Sequence, residues 1–178
     1  VLKVEFRDLL YERKSIRNFT GEPITKAQVD AILEAATRAP NACNFQSWFF
    51  YVVADRAMIE KFSPDVYSLD WIKKASVIIV VCTDSGRLEE RFGQRIGNIF
   101  ATQDTAAAIN NMLLAAADMG LGGCWIGHFN DDKCRSLSDI PSRLRPVALV
   151  PIGHPAEQPP QRPRYPVKKV SLVIGDLR

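Results

Sequence analysis

Histidine is nearly missing from this chain of 178 residues. His128 and His154 are the only two, too few for a histidine-rich metal centre, and a structural or surface role is the plainer reading of each. Cysteine is scarce as well. Cys43, Cys82, Cys124 and Cys134 stand at spacings that match no zinc or iron–sulfur pattern. Val1 to Tyr11 mixes apolar and charged residues, so no secretory leader is legible there. Reduced thiols in a cytoplasmic protein are the expectation. Apolar runs such as Val77 to Cys82 fall far short of the ~20 residues that cross a bilayer, so no membrane partner is expected. An excess of one charge is also lacking. Lys and Arg number 23 against 20 Asp and Glu, a net charge of +3. That balance gives no case for nucleic acid, yet suits a small anionic ligand.

Two chemistry-bearing loops are absent. There is no G-x-x-x-x-G-K-[ST] phosphate loop and no G-x-S-x-G nucleophile elbow. The cluster Gly120-Leu121-Gly122-Gly123-Cys124-Trp125-Ile126-Gly127 follows a helical pattern and opens a strand-like one. A dinucleotide fingerprint needs the reverse order, so the cluster argues against a Rossmann domain.

What remains reads as one domain over residues 1–178, 47% hydrophobic and 24% charged, without internal repeats. Residues 3–12 pattern as a short amphipathic helix with Val4 and Leu9, joined by Phe6 and Leu10, on its apolar side. Thr25 and Gln28 form a capping box, with Ile24 and Val29 as its staple, and the helix they open stops before Pro40. Trp48 to Val53 and Val77 to Cys82 read as strands, the second covered on both faces. Asp55 caps a short helix through Phe62. Residues 84–98, charged and punctuated by glycine, read as a mobile connection or a poor helix. Ile99 to Met119 is a helix apolar nearly all round, which points to burial on more than one side and so to a dimer interface. Gly120 ends it. Cys124 to Ile126 reads as a short strand, Asn130 or Asp131 as the cap of a helix to Ser138, and Pro146 to Ile152 as the last strand. Residues 155–166 hold five prolines and must run extended along a surface, their own or a partner's. The valine-rich end, Val167 to Ile174, is placed to anchor them. The class is α+β, with roughly four or five strands among as many helices.

Three segments carry chemistry. In Arg13-Lys14-Ser15-Ile16-Arg17 an extended backbone sets Arg13, Ser15 and Arg17 on one face, a good seat for a phosphate dianion. Arg162 and Arg164 flank Pro163 in the tail with the same alternate spacing. Ala39-Pro40-Asn41-Ala42-Cys43-Asn44-Phe45-Gln46-Ser47-Trp48 mixes the donors and acceptors that a flat heteroaromatic edge needs. Taken singly, each also reads as a solvated basic turn or an Asn-rich loop.

Their order along the chain resembles the nitroreductase family of flavoproteins: R-x-S-x-R after a short helix, A-P-N-x-x-N-x-Q-x-W before a strand, G-L-G-G-C-W-I-G after an apolar helix, and Gly153-His154-Pro155 leading to a basic proline-rich tail. The resemblance implies a nitroreductase-like α+β fold, a central, mostly antiparallel sheet flanked by helices. It implies an intertwined homodimer with FMN at the shared interface, its C-terminal extension from about residue 155 reaching the partner subunit. It also implies cofactor contacts at Arg13, Lys14, Ser15, Arg17, Pro40, Asn41, Ala42, Asn44, Gln46, Trp125, Ile126, Gly127, Arg162 and Arg164. NADH or NADPH would deliver a hydride to flavin N5 in a ping-pong cycle, and a nitroaromatic, quinone or activated alkene would take the electrons. No side chain need serve as catalytic acid, and Lys73 and Lys74 are weaker site candidates. Asn41 and Ala42 stand where the family often has two serines, and Ser47 where it commonly has proline. The lid insertion shrinks to residues 84–98. These departures bear on the acceptor, and leave open a dehalogenase, a peptide-ring oxidase or a non-enzymatic flavin-binding module.

Overall fold

The structure is a computed structural model that describes residues 5–176. Its centre is strand β2 (Val77–Thr83), every residue of which is buried. Side chains alternate along a strand, and here the alternation divides the core in two. Val77, Ile79 and Val81 enter one apolar cluster, while Ile78, Val80 and Cys82 enter another. Fully burying such side chains contributes about 1.5–3 kcal/mol each. Strand β2 pairs antiparallel with β1 (Trp48–Val53) on one side and with β4 (Arg145–Gly153) on the other. The two-residue β3 (Gly122–Gly123) closes the order β1-β2-β4-β3. All pairings are antiparallel, as expected for this α+β fold.

Helices cover both faces. The first cluster lies under α2 (Lys26–Thr37) and the long α5 (Gln94–Asp118), the second under α3 (Arg56–Asp65) and α6 (Asp131–Leu137). Helix α1 (Phe6–Glu12) and helix α4 (Gly86–Phe92) complete the set. The caps are those the residues call for. Thr25 and Gln28 form the full capping box of α2. Asp55 accepts from the Met58 amide and Asn130 from the Lys133 amide. Gly120 ends α5 at φ +72°, where a Cβ would be strained.

Three expectations need correction. Residues 84–98 are not a mobile connection: from Gly86 they are helical, α4 and α5 meeting at Gly93, whose φ of +79° breaks the helix, and α5 starts at Gln94. Cys124–Ile126 is not a strand. Ile126 still exchanges backbone hydrogen bonds with Leu149 in the register of β3, but Pro151 stands opposite Cys124 and has no N–H to give, so the ladder breaks between them. As expected, helix α5 is not covered all round within one chain. Its buried residues, among them Ala101, Ala108, Ile109 and Met112, form one stripe, and Ile99 stays exposed. Helix α1 buries none of its described residues, with Phe6 64% and Leu10 50% exposed. Val4 lies outside the described residues.

Helix α4 lies hard against α5 because of Gly97. A Cβ there would stand 2.5 Å from the Glu89 backbone nitrogen. Gly97→Ala must push two helix backbones apart, an overpacking cost of about 1–3 kcal/mol. A fall in Tm of roughly 3–10 °C is expected by calorimetry, and an unchanged Tm would contradict this packing.

Candidate functional site

The site begins where α1 ends. Ser15 forms a parallel bridge to Gly123, and the Ile16 amide donates to the Gly123 carbonyl at 3.0 Å. This pins the basic segment in extended form on the edge of β3. Ile16 turns inward onto Gly122, where a Cβ would lie 2.6 Å from its side chain. Only glycine permits that approach. The C-terminal tail is then tied along the same segment. The Thr20 amide donates to the His154 carbonyl at 2.9 Å, the Ala156 amide to the Asn18 carbonyl at 2.8 Å, and the Arg17 amide to Glu157 Oε1 at 2.5 Å. Gln161 Nε2 reaches the Tyr11 carbonyl at 2.7 Å.

The two arginine sets, about 150 residues apart in sequence, therefore face one space. Arg13, Lys14, Ser15 and Arg17 line a cleft of about 190 Å³ together with Arg162, Arg164, Gln161 and Pro159–Pro160. Among the described residues none of these four arginines has a carboxylate within ion-pair distance. Behind the cleft sits the buried Cys124. Burial pushes its thiol up, against the pull of the Arg17 guanidinium, a hydrogen bond from Ser15, and Arg13. It stays a neutral thiol.

The Asn41–Gln46 loop does not border that cleft in the same chain. Its backbone is unusual: Cys43, Asn44 and Gln46 all have φ between 52° and 55°, a region that side chains other than glycine occupy at a cost. Asp104 of α5, only 4% exposed, holds it there. One carboxylate oxygen accepts the Ala42 amide at 2.9 Å and the other the Ser47 hydroxyl at 2.6 Å. Asn41 Oδ1 accepts the Gln46 amide at 2.9 Å. Asn44 and Gln46 stay exposed, as does Pro40.

Trp125 is 44% exposed, two residues beyond the bridge that fixes Ser15, while Ile126 is buried. Gly127 opens onto a separate depression with Thr102 and Arg145. Lys73 is engaged with Asp70 at 2.7 Å, outside the cleft. Reasoning from sequence passed over Asp104, Glu157 and Gln161. Asp104 did leave a signal, an acid within the mostly apolar helix, at a spacing that puts it in line with Ala101 and Ala108 on the buried stripe. The other two are recognisable only once the tail is seen to fold back.

The model of the nitroreductase family matches residues 10–69 and 63–154 of the chain. The chain is 35% identical over 177 residues to a protein of Methanothermobacter thermautotrophicus provisionally named NADH dehydrogenase/NAD(P)H nitroreductase, covering 97% of this chain and 88% of the relative. It is 31% identical over 175 residues to the FMN reductase [NAD(P)H] of Bacillus subtilis, covering 91% and 70%. Among solved structures it is similar to nitroreductase A of Vibrio parahaemolyticus, with TM-score 0.81, 27% identity, and 97% and 77% of the two chains covered.

Asp104→Ala leaves the half-buried Ala42 N–H and the buried Ser47 O–H without their acceptor. A loss of about 2–3 kcal/mol in urea unfolding is expected. A double-mutant cycle with Ser47→Ala should show coupling, and strict additivity would mean the two side chains do not interact. The thiols give a second expectation. Burial pushes Cys82 and Cys134 from their ordinary 9.0 up to about 12, while Cys43 is exposed. Both raised groups hold their protons more tightly when folded. Their stabilising contribution is intact below about pH 9 and is lost as pH rises from there towards 12. Native protein at about pH 8 should react quickly with iodoacetamide at Cys43 alone, and fast labelling of Cys82 by mass spectrometry would contradict the buried placement.

Proposed function

The chain belongs to the nitroreductase family, and from that premise we propose that it is an NAD(P)H-dependent FMN oxidoreductase whose arginine cleft holds the cofactor phosphate. The donor set fits that group. Four guanidinium-bearing side chains, one lysine and one hydroxyl surround the cleft. A phosphate dianion accepts such forks through paired, charge-assisted hydrogen bonds. This convergence of arginines, none of them in ion-pair contact with a carboxylate among the described residues, is the observation that carries the reading.

What FMN supplies when bound is the two-electron chemistry between NADH or NADPH and an oxidised acceptor, for which nitroaromatics, quinones and activated alkenes are the candidates. The chain's own residues bind and orient. Arg13, Lys14, Ser15, Arg17, Arg162 and Arg164 hold the phosphate end. Trp125, exposed where the chain continues from the strand edge beside them, supplies a wall for the ring, while Ile126, whose side chain is buried, and Gly127 offer backbone groups. Pro40, Asn41, Ala42, Asn44 and Gln46 offer polar edges from a rigid, Asp104-held loop. Since that loop does not border the cleft of its own chain, we assign it to the site of a second copy in a homodimer. The uncovered apolar surface supports such pairing: Tyr165, Val170, Leu172 and Ile174 of the tail are 69–93% exposed, and Phe6 and Leu10 of α1 are exposed as well.

Purified protein should be yellow, release FMN on denaturation, and bleach when NADH or NADPH is added without oxygen. Arg13→Ala should weaken FMN binding by about 10- to 150-fold, the equivalent of about 1.5–3 kcal/mol for a lost charge-assisted contact, with the fold intact by circular dichroism. Unchanged FMN affinity would remove Arg13 from the site, and protein that neither holds FMN nor oxidises either dinucleotide would end this reading.

A further inference from the structure

A second basic feature lies away from the arginine cleft. Arg87 and Arg91 stand one turn apart on α4, both exposed. Their guanidinium carbons lie 4.4 Å and 5.8 Å from the centroid of the same ring, that of Phe45. Arg91 also lies 5.4 Å from the Phe92 ring. Phe45 belongs to the loop that Asp104 holds, and α4 is locked to α5 at Gly97. Both supports of this pair are therefore rigid.

The chemistry of the arrangement is specific. A guanidinium stacked on an aromatic face is ordered by the ring, yet spends none of its N–H donors, which point outward in its plane. Among the described residues neither Arg87 nor Arg91 donates a hydrogen bond or pairs with a carboxylate. The neighbouring acid Glu89 is engaged by the Ser85 hydroxyl at 2.5 Å, and Glu90 is exposed on the same short helix. Two like charges sharing one ring repel, and a dianion between them turns that repulsion into attraction. Such a pair is built for a phosphate monoester.

We propose that Arg87 and Arg91 form the seat for the 2′-phosphate of NADPH, so that this protein prefers NADPH to NADH. The inference rests on the assignment of the Asn41–Gln46 loop to the flavin site. The cofactor's own phosphate already has its cleft at Arg13. The nicotinamide end of the donor must reach the flavin, which leaves its adenosine end at the rim of the site, and the assignment of the Asn41–Gln46 loop to that site brings Phe45 and its two arginines there. A single phosphate monoester distinguishes NADPH from NADH, and two arginines with free donors are the groups that read it.

The test uses the FMN-loaded protein. Wild type should show kcat/KM for NADPH at least about tenfold above NADH, and the double variant R87Q/R91Q should bring that ratio close to 1 through a higher KM for NADPH. Calorimetric titration gives a readout free of turnover: adenosine 2′,5′-bisphosphate should bind wild type at least about tenfold more tightly than adenosine 5′-monophosphate, and the variant should lose that difference. R87K/R91K, which keeps the charges without the planar forks, should recover part of it. Equal use of NADH and NADPH by wild type, or a preference that survives R87Q/R91Q, overturns the proposal while leaving the oxidoreductase reading intact. Oxidation of neither dinucleotide instead overturns the oxidoreductase reading, and this proposal with it.

Discussion

The contact on which the site depends is small: the Ile16 amide on the Gly123 carbonyl, with Ile16 seated on Gly122. It fixes an extended segment at the edge of a sheet whose last strand has only two residues. Everything polar nearby follows from it. With residues 15–16 held, Arg13 and Arg17 point into one cleft, and Asn18 and Thr20 become the rail along which His154, Ala156 and Glu157 run. The tail is too rich in proline to build an element of its own. It borrows order from a segment that itself borrows order from β3. Two glycines in succession are thus the origin of a basic cleft whose halves lie at opposite ends of the chain.

Helix α5 performs the complementary task. Its buried stripe of small and medium side chains closes one face of the core, which requires an apolar helix. Placing an acid in that stripe is costly unless every acceptor is used. Asp104 uses both oxygens, on Ala42 and Ser47. The energy is directed to a loop with three left-handed residues in four positions, a conformation that would relax without such a restraint. Gly97, two turns earlier, sets α4 against the same helix. One helix therefore supports the core, the loop and the arginine pair over Phe45.

The elements that could be read from the residues are those with local causes. The capping box at Thr25 and Gln28 and the stop at Gly120 are written within four residues of where they act. So is the two-sided burial of β2, announced by an unbroken apolar run. Misreadings arose where a distant partner decides. The strand expected at Cys124–Ile126 fails because Pro151, on another strand, lacks a donor. Residues 84–98 look too charged and too glycine-rich for helix, yet Gly93 divides them into two helices and Gly97 serves packing. The arginine sets were visible as phosphate-like spacings, and it was the family resemblance, not the spacings, that joined them at one cofactor. Phe45 beneath Arg87 and Arg91 left no local signal, because nothing in i to i+4 spacing links a loop at 45 to a helix at 87.

The cleft also explains why a chain would tolerate so much unbalanced charge in one place. Four arginines face a common space with no carboxylate in ion-pair range among the described residues. Glu157, the one acid tied to that segment, accepts from the Arg17 backbone amide. Like charges held together destabilise the folded state, and the simplest relief would be a neighbouring Asp or Glu. Such a neighbour would compete with any incoming anion for the same forks. Leaving the charges unpaired lowers the stability of the empty protein and returns the difference when an anion binds, since a ligand that binds only the folded chain stabilises it by mass action. The repulsion is thus stored affinity, and it is confined to segments whose backbones are held by other means: Ile16 on Gly122, Gln161 on Tyr11, Thr20 on His154. A scaffold fixed by backbone hydrogen bonds and glycine contacts can hold such a site open, because none of those contacts depends on the charge being neutralised.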